Sequence, residues 1–174
     1  MTAADATTCA TIYAPFVTDG WVSFELEPPD GVAMAERIAR YGPSHAWLVA
    51  EMDGAVAGYA YGSPHRDRAA YSSSCDVAVY VDPAQARKGI GSALYAELLP
   101  QLASRGYHAA FAGIALPNDK SVGLHEALGF EHLGSYKEVG FKFGRWHDVG
   151  WWRRSLNSGL PAGEPGSGSP LPPV

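Results

Sequence analysis

The chain has 174 residues, 47% of them hydrophobic and 18% charged, with a net charge of −5. That length predicts one domain burying about two thirds of its unfolded surface, and the apolar fraction excludes a disordered polymer. Arginine forms no basic stripe, no stretch of eighteen apolar residues occurs and no charged-then-apolar leader opens the chain, so nucleic-acid and membrane partners are not expected and the protein is predicted cytosolic.

The chain opens with a predicted helix, started by Asp5 or Thr2, that places Ala6, Cys9, Ile12, Tyr13 and Phe16 on one face. Thr18 to Pro29 reads as a turn and a short extended piece carrying Trp21 and Phe24. Gly31 to Tyr41 is a second predicted helix, ended by Gly42 and Pro43. His45 to Met52 and Ala55 to Tyr61 read as two strands joined by a tight Asp53-Gly54 turn, hence an antiparallel pair. The polar loop that follows holds Arg66 and Arg68 two apart, just before Tyr71. Guanidinium groups suit carboxylate or phosphinate oxygens, and the same spacing equally describes a solvated surface loop.

Val77 to Gly91, V-A-V-Y-V-D-P-A-Q-A-R-K-G-I-G, is the stretch around which the rest is organised. Alternating Val77, Val79 and Val81 predict a strand, Asp82 and Pro83 end it, and Gly89 and Gly91 open a helix. The first N–H groups of a helix have no internal partner and sit at the positive end of its dipole, so the backbone from Arg87 to Ser92 is a candidate phosphate cradle. It is not a P-loop, because Lys88 precedes Gly89 and no Gly-Lys-Ser follows. A dinucleotide fingerprint fits weakly too, with Leu94 where the third glycine belongs.

Pro100 is expected to kink the helix after this loop, which Gly106 ends. Tyr107 to Leu116 reads as a buried strand, and Asn118 caps a helix that stops at Gly129. Beyond it, E-H-L-G-S-Y and V-G-F-K-F read as separate strands of a terminal hairpin and R-W-H-D-V-G-W-W-R-R-S-L as the last strand. The Gly, Ser and Pro composition from Asn157 predicts a disordered tail over 157–174, leaving 1–156 as the domain. Cys9 and Cys75 lie outside any pairing motif and the six histidines never fall at zinc-ligand spacing, so neither a disulfide framework nor a metal site is expected.

The loop V-Y-V-D-P-A-Q-A-R-K-G-I-G-S-A-L resembles the pyrophosphate loop of the GNAT N-acetyltransferase family, usually Gln/Arg-x-x-Gly-x-Gly/Ala, with Ala86 standing where the Gln or Arg belongs. L-P-N-D-K-S-V-G-L-H-E-A-L-G-F resembles the second motif of that family, with His125 in the place of the usual tyrosine. These strings, with W-H-D-V-G-W-W, are similar to the phosphinothricin and methionine sulfoximine acetyltransferase branch over about Ile12 to Leu156.

The resemblance implies an α/β (α+β) acyl-CoA N-acyltransferase fold, a mixed sheet flanked by helices whose central strand splays from its neighbour. The family's first edge strand finds no room before the first helix, so that sheet edge is expected to be open or otherwise covered. It also implies a homodimer and acetyl transfer from acetyl-CoA to a small-molecule amine. Asp76, where resembling enzymes carry glutamate, becomes the candidate base, and His125 the candidate acid or proton carrier. His147, beside Asp148, is the competing histidine and reads as a hydrogen-bonded structural pair. Val79, Tyr80, Val81, Arg87, Lys88, Gly89, Ile90, Gly91, Ser92, Asn118 and Ser121 are the implied acetyl-CoA residues, with a backbone N–H near Tyr80 for the oxyanion. Phe24, Arg66, Arg68 and Tyr71 are the implied acceptor residues, although Trp21 and Phe24 also read as local core. An acetyltransferase for another amine, or a CoA-binding sensor without catalysis, is the rival reading.

Overall fold

The computed structural model describes residues 3–157, folded as α1 (Ala3–Thr18), α2 (Gly31–His45), β1 (Trp47–Met52), β2 (Ala55–Pro64), β3 (Ser74–Val81), α3 (Ile90–Ser104), β4 (Ala109–Ala115), α4 (Asp119–Ala127), β5 (Glu131–Lys142) and β6 (Arg145–Ser155). The strands form one sheet of order β1-β2-β3-β4-β6-β5. All neighbours are antiparallel except β3 and β4, which need the α3 crossover between them because they run parallel. No helix among the described residues is long and apolar enough to cross a membrane.

Two apolar layers cover the two faces of this sheet. On one face Leu94, Tyr95, Leu98 and Leu102 of α3 pack on Cys75, Val77, Ala110 and Ala112. Leu98 and Leu102 are fully buried, each stabilising the fold by roughly 1.5–3 kcal/mol. The spacing of these leucines carries α3 unbroken through Pro100. On the other face Cys9, Tyr13 and Val17 of α1 and Met34 of α2 pack on Trp47 and Tyr59. There the Trp47 ring stacks on Tyr61 at 4.2 Å and Tyr59 at 5.4 Å. Because side chains alternate along a strand, β3 sends Cys75 and Val77 to the first layer and Asp76 to the second.

Several sequence expectations need correction. α2 does not stop at Tyr41 but runs through Gly42 and Pro43 to His45, ending where Ala46 turns to φ 61 and its N–H bonds to the Gly42 carbonyl. His45 therefore belongs to the helix and β1 begins at Trp47. The segment around Trp21 and Phe24 is a series of bends without strand pairing. The E-H-L-G-S-Y and V-G-F-K-F stretches are one strand, β5, because Glu138 at φ 50 lets a bulge between Tyr136 and Gly140 absorb the register shift. Asn157, expected to open the tail, is anchored: its side-chain amide donates to the carbonyls of Ala103 and Tyr107. The remainder of the predicted tail, 158–174, lies outside the described residues. Among those residues β1 is the sheet edge, with no strand beyond it.

Candidate active site

The site begins where the sheet comes apart. β3 and β4 pair only at Ser74–Ala109, Cys75–Ala110 and Asp76–Phe111. Beyond Asp76, β3 continues to Val81 bonded to β2 alone, and β4 continues to Ala115 bonded to β6. The two diverging strands enclose a cleft lined by Val77 to Tyr80, by Ala112 to Ala115, and by Asn118, Ser121, Tyr95 and His125. Backbone N–H groups of β3 that point away from β2 find no strand opposite them here.

The glycine loop stands at the mouth of this cleft. Asp82 accepts the Ala84 N–H at 2.9 Å and so holds a 3-10 turn at Pro83–Gln85. Arg87 at φ 67 and Gly89 at φ 77 turn the chain into α3, the second in a left-handed conformation that glycine adopts without strain. The first bond of α3 runs from the Ala93 N–H to the Gly89 carbonyl, so the N–H groups of Ile90, Gly91 and Ser92 have no partner within the helix. A side chain at Gly91 would meet the Leu124 methyl of α4 at 3.1 Å, so the start of α3 packs closely against α4. Lys88 is exposed and its Nζ donates to Gln85 Oε1 at 2.6 Å. At the head of α4, Asn118 Oδ1 accepts the Ser121 N–H at 3.2 Å, the capping bond its position in the sequence predicts.

His125, 3% exposed, projects from α4 into the α3 side of the cleft. Its Nδ1 donates to the Ser121 carbonyl at 2.7 Å, leaving Nε2 to accept the Tyr95 hydroxyl at 3.0 Å. The ring is held edge-on by Tyr95 and Phe130. Burial lowers the affinity of this imidazole for a second proton, partly offset by the Ser121 carbonyl. His125 is thus a neutral ring that communicates with the cleft through the Tyr95 hydroxyl, a residue the sequence reading missed.

On the other face of the sheet stands Asp76. Its Oδ1 lies 2.6 Å from His65 Nδ1. Burial holds the Asp76 carboxyl above the usual carboxylate range, opposed by the bond and charge of His65 and by Arg66. His65 was likewise missed. Arg66 bonds to its neighbour's carbonyl, His65 O, and lies over the Trp151 ring at 5.5 Å. Trp151 Nε1 is buried and has no acceptor among the described residues. Tyr71 is half exposed with its ring 6.1 Å from His65, and Arg68 is exposed at the start of the same short turn. The structure therefore gathers Asp76, Arg66 and Tyr71 about His65, with Arg68 beside them on the loop.

Phe24 is not gathered with them: it is packed on Gly140 of β5 and tilted toward His147. Its neighbours in sequence flank it: Val22 lines the cleft, and Glu25 lines a second cavity of about 600 Å³ with Arg37, Arg40, Tyr61 and Ser63. Ser63 is the β2 partner of Asp76, so this cavity adjoins the Asp76 face. Within it Glu25 accepts both Arg37 Nη1 and Nη2 at 2.8 Å and the Tyr13 hydroxyl at 2.8 Å. The segment is pinned by Lys142, 5% exposed, whose Nζ donates to the carbonyls of Val17 and Ser23. His147 is structural, but not through Asp148: its Nε2 bonds to the Lys142 carbonyl while Asp148 takes Lys137 and the Glu138 N–H. Cys75 is buried with its thiol pushed up to about 12, which leaves it unreactive at neutral pH. Among the described residues no group of three or more His, Cys, Asp or Glu is placed to hold a metal ion.

The parallel strand pair thus splits with the start of α3 beside it, and the Asp76–His65 and Tyr95–His125 pairs stand on its two sides. The model of the acetyltransferase (GNAT) family matches residues 14–130, and the chain belongs to that family. It is 40% identical over 161 residues to the phosphinothricin N-acetyltransferase of Streptomyces viridochromogenes, covering 92% of this chain and 87% of that one. The L-methionine sulfoximine/L-methionine sulfone acetyltransferase of Salmonella typhimurium is 36% identical over 110 residues, 63% of this chain and 64% of that relative. Among solved structures, the GNAT superfamily phosphinothricin acetyltransferase of Sinorhizobium meliloti in complex with AcCoA superimposes with a TM-score of 0.89 at 37% identity, covering 97% of this chain and 91% of that one.

Proposed function

We propose that this enzyme moves acetyl from acetyl-CoA to the free amino group of a small amino-acid analogue of the phosphinothricin, methionine sulfoximine or methionine sulfone type. The observation that carries the reading is the split beyond Asp76, with Asp76 and the Tyr95–His125 pair on its two sides. Acetyl-CoA supplies the acyl thioester. The free N–H groups from Arg87 to Ser92 suit its pyrophosphate, and Val79 and Tyr80 line the cleft with Val81 next along the strand, Asn118 and Ser121 being on the opposite wall. The basic pair at Asp76 takes a proton from the incoming ammonium, which must become a neutral amine before it attacks. A β3 backbone N–H near Tyr80 faces the developing oxyanion. The Tyr95 hydroxyl, backed by His125, faces the departing thiolate.

Arg66, Arg68 and the unused Trp151 indole N–H suit the acid end of such an acceptor, whose oxygens need donors. Tyr71 and Phe24 supply apolar walls on either side. A homodimer suits the exposed apolar end of the β5–β6 hairpin, where Phe141, Phe143 and Trp146 are each more than half exposed. A cytosolic setting suits two buried, unpaired cysteines and an acetyl-CoA co-substrate. The test is thiol release from acetyl-CoA with phosphinothricin, methionine sulfoximine, methionine sulfone, spermidine and a short peptide. Turnover with the first three alone is expected. Turnover with spermidine or the peptide instead would contradict the acceptor class, and binding of acetyl-CoA without turnover would favour a sensor.

A further inference from the structure

Asp76 is a short carboxylate at the point where the strands part, and the residue in contact with it is His65. The β2–β3 register pairs Ser63 with Asp76 and Pro64 with Cys75. His65, two residues beyond Ser63, returns its ring to the Asp76 face as a diagonal neighbour. The imidazole stacks on Phe111 at 4.2 Å and 17°, and Trp151 meets it edge-on at 5.9 Å. Phe111 is the β4 partner of Asp76, the last pair before the split, so the ring lies over the apex of the cleft.

The ionised carboxylate only accepts, so Nδ1 carries the proton of the 2.6 Å bond and Nε2 keeps a lone pair. Nε2 has no hydrogen-bond partner among the described residues and is not a sealed, unpaired atom, while the His65 side chain keeps 12% exposure. An imidazole with one nitrogen anchored by a carboxylate and the other open is built to accept a proton. The other titratable groups facing it are Arg66, whose guanidinium bonds to the His65 carbonyl, and the Tyr71 phenol; Phe111 and Trp151 contribute no charge.

We propose that His65, oriented by Asp76, is the catalytic residue that accepts the proton of the acceptor's ammonium, with Asp76 acting through it as a positioning residue. This rests on the acetyl-transfer reading. One ammonium proton passes to His65 Nε2, whose imidazolium is stabilised by Asp76 through the retained Nδ1–H. The neutral amine forms the C–N bond, the C–S bond breaks, and the second proton leaves the nitrogen for solvent. The thiolate takes the Tyr95 hydroxyl proton as that O–H turns from His125 Nε2, solvent restores it through the cleft, and His65 returns its proton to solvent.

The experiment compares kcat/KM for phosphinothricin, methionine sulfoximine and methionine sulfone in the parent, His65→Phe, Asp76→Glu and the double variant, from neutral to alkaline pH. Phenylalanine keeps the stack on Phe111 and removes both ring nitrogens, the open Nε2 and the Nδ1–H that bonds to Asp76. His65→Phe is expected to lose about 100-fold or more near neutral pH. Its deficit shrinks as pH rises and the amine deprotonates unaided, and KM for acetyl-CoA stays at the parent value. The double variant regains activity, because a carboxylate one methylene longer reaches toward the vacated position. A parent that turns over while His65→Phe is unimpaired at every pH overturns the role of His65 alone. A parent that acetylates none of the three amines overturns the acceptor reading and the role of His65 with it.

Discussion

His125 is buried and His65 half-buried, both packed among aromatic rings and both tied through Nδ1, yet their second nitrogens differ. His125 Nε2 is taken by the Tyr95 hydroxyl, whereas His65 Nε2 has no partner among the described residues. One ring is a held, neutral link in a chain that ends at a phenol. The other is half of a carboxylate–imidazole pair with an open lone pair. Burial alone does not decide what a histidine does; the partner of each nitrogen does.

The largest effect expected from breaking this comparison is at Asp76. Asp76→Asn removes the charge that fixes the His65 tautomer, and kcat should fall by about 10²–10⁴-fold in a thiol-release assay. On the other face, Tyr95→Phe and His125→Phe should each cost about 100-fold. The double variant should be little slower than either, because two groups in one relay fail together. Lys142→Met tests the segment that brings Val22 and Glu25 to the site. The carbonyls of Val17 and Ser23 lose their shared donor, and denaturant melts should show about 1–3 kcal/mol of lost stability.

The smallest effect is on the pH dependence of stability. Burial lowers the pKa of His125 and takes His45 down to about 4. A pKa depressed in the folded state contributes stability that is present above the unfolded value, about 6.5, and is lost as pH falls toward the folded one. Melting temperature should therefore decline between about pH 6.5 and 4, and His45→Gln should flatten that decline.

The glycine turn into α3 and the cap of α4 were legible in the sequence because their conformations demand particular residues: Gly89 sits at φ 77, and Asn118 caps the helix that carries His125. His65 was not legible, since its contact depends on the β2–β3 register across a loop of irregular backbone. The Tyr95–His125 bond joins residues 30 apart through the packing of α3 on α4, and the Glu25–Arg37 pair needs the bends after α1. The continuity of β5 was hidden because a bulge with Glu138 at φ 50 looks, in sequence, like a break between two strands. Asn157 reads as the start of a tail by composition and is held by carbonyls that composition cannot show.

The most direct test of two separate proton sites is the pH profile of kcat/KM for Asp76→Asn and His125→Phe against the parent, carried past the amine's own pKa, about 8 for an α-amino group. The Asp76→Asn deficit should close as the amine loses its proton unaided, while the His125→Phe deficit persists, because the Tyr95 hydroxyl that serves the thiolate still lacks the imidazole behind it. An Asp76→Asn deficit that stays constant or widens across that range would contradict the assignment of a base to this face of the sheet.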